Sequence, residues 1–265
     1  MTYSRCVNTA ARTPRKHSWW LLAGAVAAVA IACVIAAGRM TAAPESAVAG
    51  AASAVVAPAP LVLPEHASVL VFGDSWTYGS AATDPTLGYA YVIGAAMGWD
   101  TTVDGVRGSG YLKPGIDGGS FGERIAVLDP SLHPDLVIIE GSITDRVLYP
   151  EGYTAAVTSA WDALDALYPD AEIVILGPAP QVLPVQRATA RIDDDLAHLA
   201  ADRGWWYISP VQDEWITPEN YGWVVDSSEI GRDHPSTAGH AYLAERLADA
   251  IAAMGAGSDI TADAG

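Results

Sequence analysis

Cysteine is nearly absent: the two present, Cys6 and Cys33, both lie in the first forty of 265 residues. The rest of the chain therefore holds no disulfide and no thiolate-bound metal. Basic residues are almost as scarce there. Five of the 14 Lys and Arg (Arg5, Arg12, Arg15, Lys16, Arg39) lie in the first forty positions. From Glu65 onward nine basic residues stand against thirty acidic ones, a balance of about −21. Neutralising phosphates takes basic patches, so a nucleic-acid partner is excluded. The acidity reads as a solvated, soluble surface. No internal repeat is found. With 51% hydrophobic residues, the length suits one good-sized core.

Charge is missing altogether from residues 19–37, WWLLAGAVAAVAIACVIAA, which follow a polar, basic segment. A spanning helix needs about 20 apolar residues and a signal-peptide core about 7–15. Residues 1–40 are therefore expected to be a basic N-terminus with a signal peptide or membrane anchor, the length favouring an anchor. The basic side is expected in the cytoplasm and the body outside. Small residues after the run (Ala36, Ala37, Thr41, Ala42, Ala43) also permit cleavage, and Ala30-Ile-Ala-Cys33 faintly suggests lipid attachment. Residues 41–64 are Ala, Pro and Val with almost no charge, which predicts an extended linker. A globular body is expected over 65–255 and a flexible tail over 256–265.

Within the body, short apolar runs alternate with helical patterns. Strands are expected at 68–72, 99–103, 135–140, 171–176 and 205–208, and helices at 88–97, 151–168, 185–203 and 236–254. Ser236 suits an N-cap. The alternation predicts an α/β fold: three layers, α/β/α, around a mainly parallel central sheet.

Ligands of such sheets bind past the C-terminal ends of the strands. Ser75 falls there, two residues beyond the first strand's glycine. A hydroxyl is a poor nucleophile without a base, a group to orient the base, and oxyanion donors. His234 lies in a loop before the last helix and is the base candidate. His17, His66, His133 and His198 lie outside the body's elements or on its periphery. His240 reads as an ordinary surface or capping residue.

Four blocks in this order resemble the SGNH (GDSL-like) hydrolase family, over roughly residues 67–253. They are Gly73-Asp-Ser-Trp-Thr77, Val103-Asp-Gly-Val-Arg-Gly-Ser-Gly110, Ile138-Ile-Glu-Gly-Ser-Ile-Thr-Asp145 and His234-Pro-Ser-Thr-Ala-Gly-His240. The resemblance implies an SGNH/flavodoxin-like fold, Ser75 as nucleophile and His234 as base. It also implies oxyanion donors at the Ser75 and Gly108 N–H groups, and no metal or cofactor.

The chain departs from the family twice. Thr144 stands where the family has an Asn oxyanion donor and is the expected third oxyanion donor, with Ser142 beside it as the alternative. Gly231 stands where the family has Asp, three residues before the His, and Asp233 is directly adjacent to His234. Asp233 is the expected orienting acid; Asp226, Glu229 and a backbone carbonyl are alternatives. Asp74 and Asp145 are expected to bond loop backbone groups. Trp76 and Trp223 are candidates for a substrate groove. The expected activity is that of an exported serine esterase or acylhydrolase. Its expected partner is a small-molecule, lipid or carbohydrate ester, an acetylated polysaccharide among them, with membrane contact through the N-terminal segment if uncleaved. The rival expectation is a non-catalytic carbohydrate-binding module at the cell surface.

Overall fold

Apolar runs without alternation form strands buried on both faces. The structure, a computed structural model, describes residues 58–255. The expected anchor and tail lie outside the described residues. Three such runs form the sheet centre: β1 (Ser68–Gly73), β3 (Leu136–Glu140) and β4 (Glu172–Leu176). The edges are β2 (Asp100–Gly105) and β5 (Trp206–Ile208). All four pairings are parallel, in the order β2-β1-β3-β4-β5. The polar sequence of β2, DTTVDG, fits its half-exposed edge position.

The pleat sends alternate side chains to opposite layers. Val69, Val71, Ile138 and Val174 face α1 (Tyr89–Met97) and α6 (Thr237–Gly255), meeting Ile93, Leu243 and Leu247. Leu70, Phe72, Ile139 and Ile175 face the other layer, built from α2 (Phe121–Ile125), α3 (Tyr153–Leu167) and α4 (Arg187–Arg203). There they meet Phe121, Trp161 and Leu196. Phe72 has no exposed surface, and its ring meets Phe121 edge-on at 5.0 Å between centroids. Burying a side chain of that size contributes roughly 1.5–3 kcal/mol. The result is the three-layer α/β/α arrangement that alternation predicts, in the strand order of flavodoxin-like folds.

Three features depart from expectation. Residues 58–64 do not behave as free linker: Leu61 is buried, its N–H donates to Met254 O (3.1 Å), and Trp206 Nε1 donates to Ala59 O. The short α2 was not expected, although Ser120 and Glu123 form a capping box at its start. A two-stranded antiparallel ribbon, β6 (Val225–Asp226) and β7 (His234–Pro235), was also missed. α5 (Tyr221–Val224) precedes it. Elements of two to five residues carry no periodicity from which to read them. Ser236 does cap α6, its Oγ accepting from Gly239 N at 2.9 Å.

In this strand order β2 and β3 flank β1, so the chain leaves β1 towards one side and β3 towards the other. The crevice between those exits is where open α/β sheets place ligands.

Candidate active site

Ser75 sits in a turn that β1 feeds directly. Asp74 Oδ1 accepts from Trp76 N (2.8 Å) and Asp74 O from Tyr78 N (3.0 Å), which holds the chain in a tight bend around the serine. Ser75 is 5% exposed and opens onto a cleft of about 540 Å³ that also touches Gly108, Thr144 and His234. Neither the Ser75 N–H nor the Gly108 N–H is taken up by an intramolecular hydrogen bond among the described residues. Gly108 has φ +73, a left-handed backbone that a side chain would strain.

A buried arginine, which sequence reasoning missed, fixes the first two loops together. Arg124 Nη1 donates to Gly73 O (2.9 Å) and Ser109 Oγ (3.1 Å), and Nη2 to Asp104 O and Oδ1. Its guanidinium stacks over Phe72 at 4.0 Å. The signal available was a lone Arg on an apolar helix face opened by a capping box.

Asp145 clamps the third loop, accepting from Tyr111 N (2.7 Å), Leu112 N (3.1 Å) and Ser142 Oγ. Asp74 and Asp145 thus bond loop backbone, as expected of them. Beneath Ser75, Glu140 Oε2 accepts from Asp74 N (3.2 Å) and Thr77 Oγ1 (3.0 Å). Complete burial drives the Glu140 carboxyl well above its ordinary value, and burial pushes Asp74 up to about 6.

The β6–β7 ribbon delivers the candidate base, His234. Asp226 pairs with His234 across it, and the intervening turn brings His234 N to Gly231 O at 3.1 Å. The imidazole Nδ1–H donates to that same carbonyl at 2.8 Å. Nδ1 then carries the proton, and Nε2 accepts from Ser75 Oγ at 2.8 Å. Burial is the main influence on His234 and lowers its pKa, with the Gly231 carbonyl pulling the other way.

Two expected roles need correction. Asp233 makes no hydrogen bond to the imidazole. Its φ of +60 and the bond from its N–H to Asp226 O turn the residue within the ribbon's tight loop, and the Gly231 carbonyl already occupies the Nδ1 position. The alternative carboxylates do not take its place either: Asp226 Oδ1 accepts from Ser228 N (2.9 Å), and Glu229 is exposed. Gly231 itself has no room for the family's Asp. A Cβ there would lie 2.2 Å from Asp226 Cγ. Thr144 does line the cleft, but its hydroxyl donates to Ser109 O at 2.9 Å, so it is not free for an oxyanion. Ser142 is likewise committed to Asp145.

His240 is not a surface residue. It is fully buried, with Nδ1 accepting from Tyr89 N (3.2 Å) and Nε2 donating to Ser80 O (3.0 Å). Burial lowers its pKa to about 4, so it is neutral under ordinary conditions. Trp76 and Trp223 do not line the cleft. Trp76 is buried in the core, and Trp223 packs edge-on against Tyr242.

Comparison with known proteins follows the same blocks. Residues 71–242 match the GDSL-like Lipase/Acylhydrolase family, a span running from β1 into α6. A GDSL lipase of Mycobacterium tuberculosis is 30% identical over 199 residues, covering 69% of this chain and 80% of that protein. Among solved structures, the native aryl esterase of M. smegmatis aligns with a TM-score of 0.54 at 15% identity, covering 70% of this chain and 98% of the other. A carbohydrate acetylesterase family member from Sinorhizobium meliloti aligns with a TM-score of 0.52 at 15% identity, covering 71% and 98%. At such identities these two speak for the fold. Sequence blocks, strand order and the family match converge: the chain belongs to the GDSL-like lipase/acylhydrolase (SGNH) family and is an ester-bond hydrolase.

Proposed function

We propose that this hydrolase works as a serine esterase on a Ser75–His234 dyad, with the Gly231 carbonyl in place of an acid. The single observation that carries the reading is the 2.8 Å contact between His234 Nε2 and Ser75 Oγ, made by an imidazole whose other nitrogen is committed. In this reading Ser75 Oγ attacks the ester carbonyl as its proton passes to His234 Nε2. The oxyanion is met by the N–H groups of Ser75 and Gly108. His234 then returns the proton to the departing alcohol, leaving an acyl–Ser75 ester. Water, deprotonated by His234, attacks that ester; the acid departs and Ser75 recovers its proton. The backbone carbonyl orients the base but carries no full charge. It stabilises the imidazolium less than a carboxylate would.

The cleft around Ser75 opens at the surface, which suits an ester presented on a larger molecule, such as an acetylated carbohydrate or a short-chain lipid. The basic segment 1–18 and the uncharged run 19–37 support export, with the body held outside the cell or released there. A binding module without catalysis draws its support from the missing Asn and the displaced Asp. The Gly231 carbonyl at Nδ1 answers the second point, whereas Thr144, bonded to Ser109 O, does not answer the first.

The test uses the full chain: turnover of short-chain p-nitrophenyl esters and labelling by a fluorophosphonate probe, beside Ser75→Ala. Loss of both in the variant is expected. Equal turnover in the variant would sink the dyad reading. Cell fractionation tests export, and a purely cytoplasmic protein would overturn it.

A further inference from the structure

The cleft reverses the charge of the body around it. Four of the nine basic residues that follow Glu65 line it: Arg107, Lys113, Arg146 and Arg232. No Asp or Glu does. The usual fate of surface Arg and Lys is to be scattered through solvent beside the acids that outnumber them. Here the acids outnumber them about threefold and are absent from the one place where the cations gather. Of these four, only Arg107 is ion-paired among the described residues, to Asp117. Arg146 Nη1 donates to the Ile143 carbonyl (2.8 Å), which leaves its charge uncompensated. Gathering like charges costs repulsion; Asp117 offsets Arg107, and no carboxylate lines the cleft to offset the other three. A cleft lined by one sign of charge focuses the field and draws in ligands of the opposite sign. The same walls carry exposed apolar side chains, Ile116, Val147 and Ile230, the last 91% exposed.

We infer that the substrate is an anionic ester, bearing a carboxylate, phosphate or sulfate close to the scissile bond. Lys113, Arg146 and Arg232 receive that group while Ile116, Val147 and Ile230 contact the apolar remainder. The inference rests on the esterase reading of Ser75 and names the charge of what that site takes. An anion in either the acyl or the alcohol half would satisfy the same cations, so the test has two arms.

The full chain is assayed on matched pairs at low salt, with the uncatalysed rate subtracted. The acyl-side pair is p-nitrophenyl hydrogen glutarate against p-nitrophenyl methyl glutarate. The alcohol-side pair is 4-acetoxybenzoate against methyl 4-acetoxybenzoate. The expected result is a higher kcat/KM for the charged member of at least one pair, and a ratio that shrinks as salt is added. Lys113→Gln and Arg232→Gln should each cut that ratio about two- to fivefold, the size of an exposed charge pair. Arg187→Gln, at the start of α4 and not part of the cleft lining, should leave the ratio at its wild-type value. Preference for the neutral member in both pairs, or a ratio indifferent to the two cleft variants, overturns the inference. Turnover that persists in Ser75→Ala overturns the esterase reading instead. Ser75-dependent turnover that is blind to charge overturns only the anionic substrate.

Discussion

The Gly231 carbonyl lies 2.8 Å from Nδ1 of His234, three residues further along the chain, and also accepts the His234 backbone N–H. One oxygen therefore sets both the turn that presents His234 and the tautomer of its imidazole. The position matters because a Cβ on residue 231 would collide with Asp226, so turn, ribbon and imidazole depend on the same absent side chain.

Gly231→Ala should lower kcat by tenfold or more, because the displaced carbonyl no longer holds Nδ1–H. It should also lower the melting temperature by opening the ribbon. Asp233→Asn should change kcat less than about twofold. Steady-state kinetics on both variants decide the matter: a large loss in Asp233→Asn with a silent Gly231→Ala would return the orienting role to the acid.

The acid limb of kcat/KM should follow His234. The base works deprotonated, and burial disfavours the imidazolium, so the working form persists to lower pH than for a free imidazole. The midpoint is expected below the ordinary 6.5. A midpoint above 6.5 would mean that the base is held by an anion after all.

Thr144→Val should reduce stability by about 0.5–1.5 kcal/mol through the lost bond to Ser109 O. Its kcat should fall less than tenfold, whereas removing an oxyanion donor costs about 10²–10³. Chemical denaturation and kcat measured on the same preparation separate the two roles, and a hundredfold loss of kcat with unchanged stability would restore Thr144 to the oxyanion.

Arg124→Met should destabilise the fold by about 3–5 kcal/mol, because it leaves the Asp104 carboxylate and the Gly73 carbonyl without their donor. A denaturant midpoint close to wild type would refute the clamp.

His240 makes stability sensitive to acid. Its folded pKa of about 4 lies below the ordinary 6.5, so the unfolded chain takes up the proton first. Stability from this residue is present above pH 6.5 and is lost progressively as pH falls from 6.5 towards 4. The gap in unfolding free energy between wild type and His240→Gln should therefore narrow on going from pH 7 to pH 5. A gap that stays constant would show that the imidazole does not remain neutral.

The strands of this fold were legible because β1, β3 and β4 are apolar on both faces, a pattern that only a covered parallel sheet explains. Ser75 was legible because a glycine ends its strand sharply, and His234 because it precedes a long helix at the right distance. The orienting group was not legible as such. A backbone carbonyl is present at every residue, and nothing but the folded ribbon selects the one at Gly231. Thr144 illustrates the reverse error: the residue sits where expected, yet its hydroxyl turns to a neighbouring carbonyl that no local pattern announces. Arg124 and His240 escaped because their partners come from distant parts of the chain, Gly73 and Asp104 for one, Tyr89 and Ser80 for the other.

Leu61 donates to Met254, at the far end of α6, whereas α6 begins beside His234. Its 19 residues set those two ends about 28 Å apart. The first described residues are thus held at the end of α6 remote from His234, so residues 58–61 leave the mouth of the cleft uncovered.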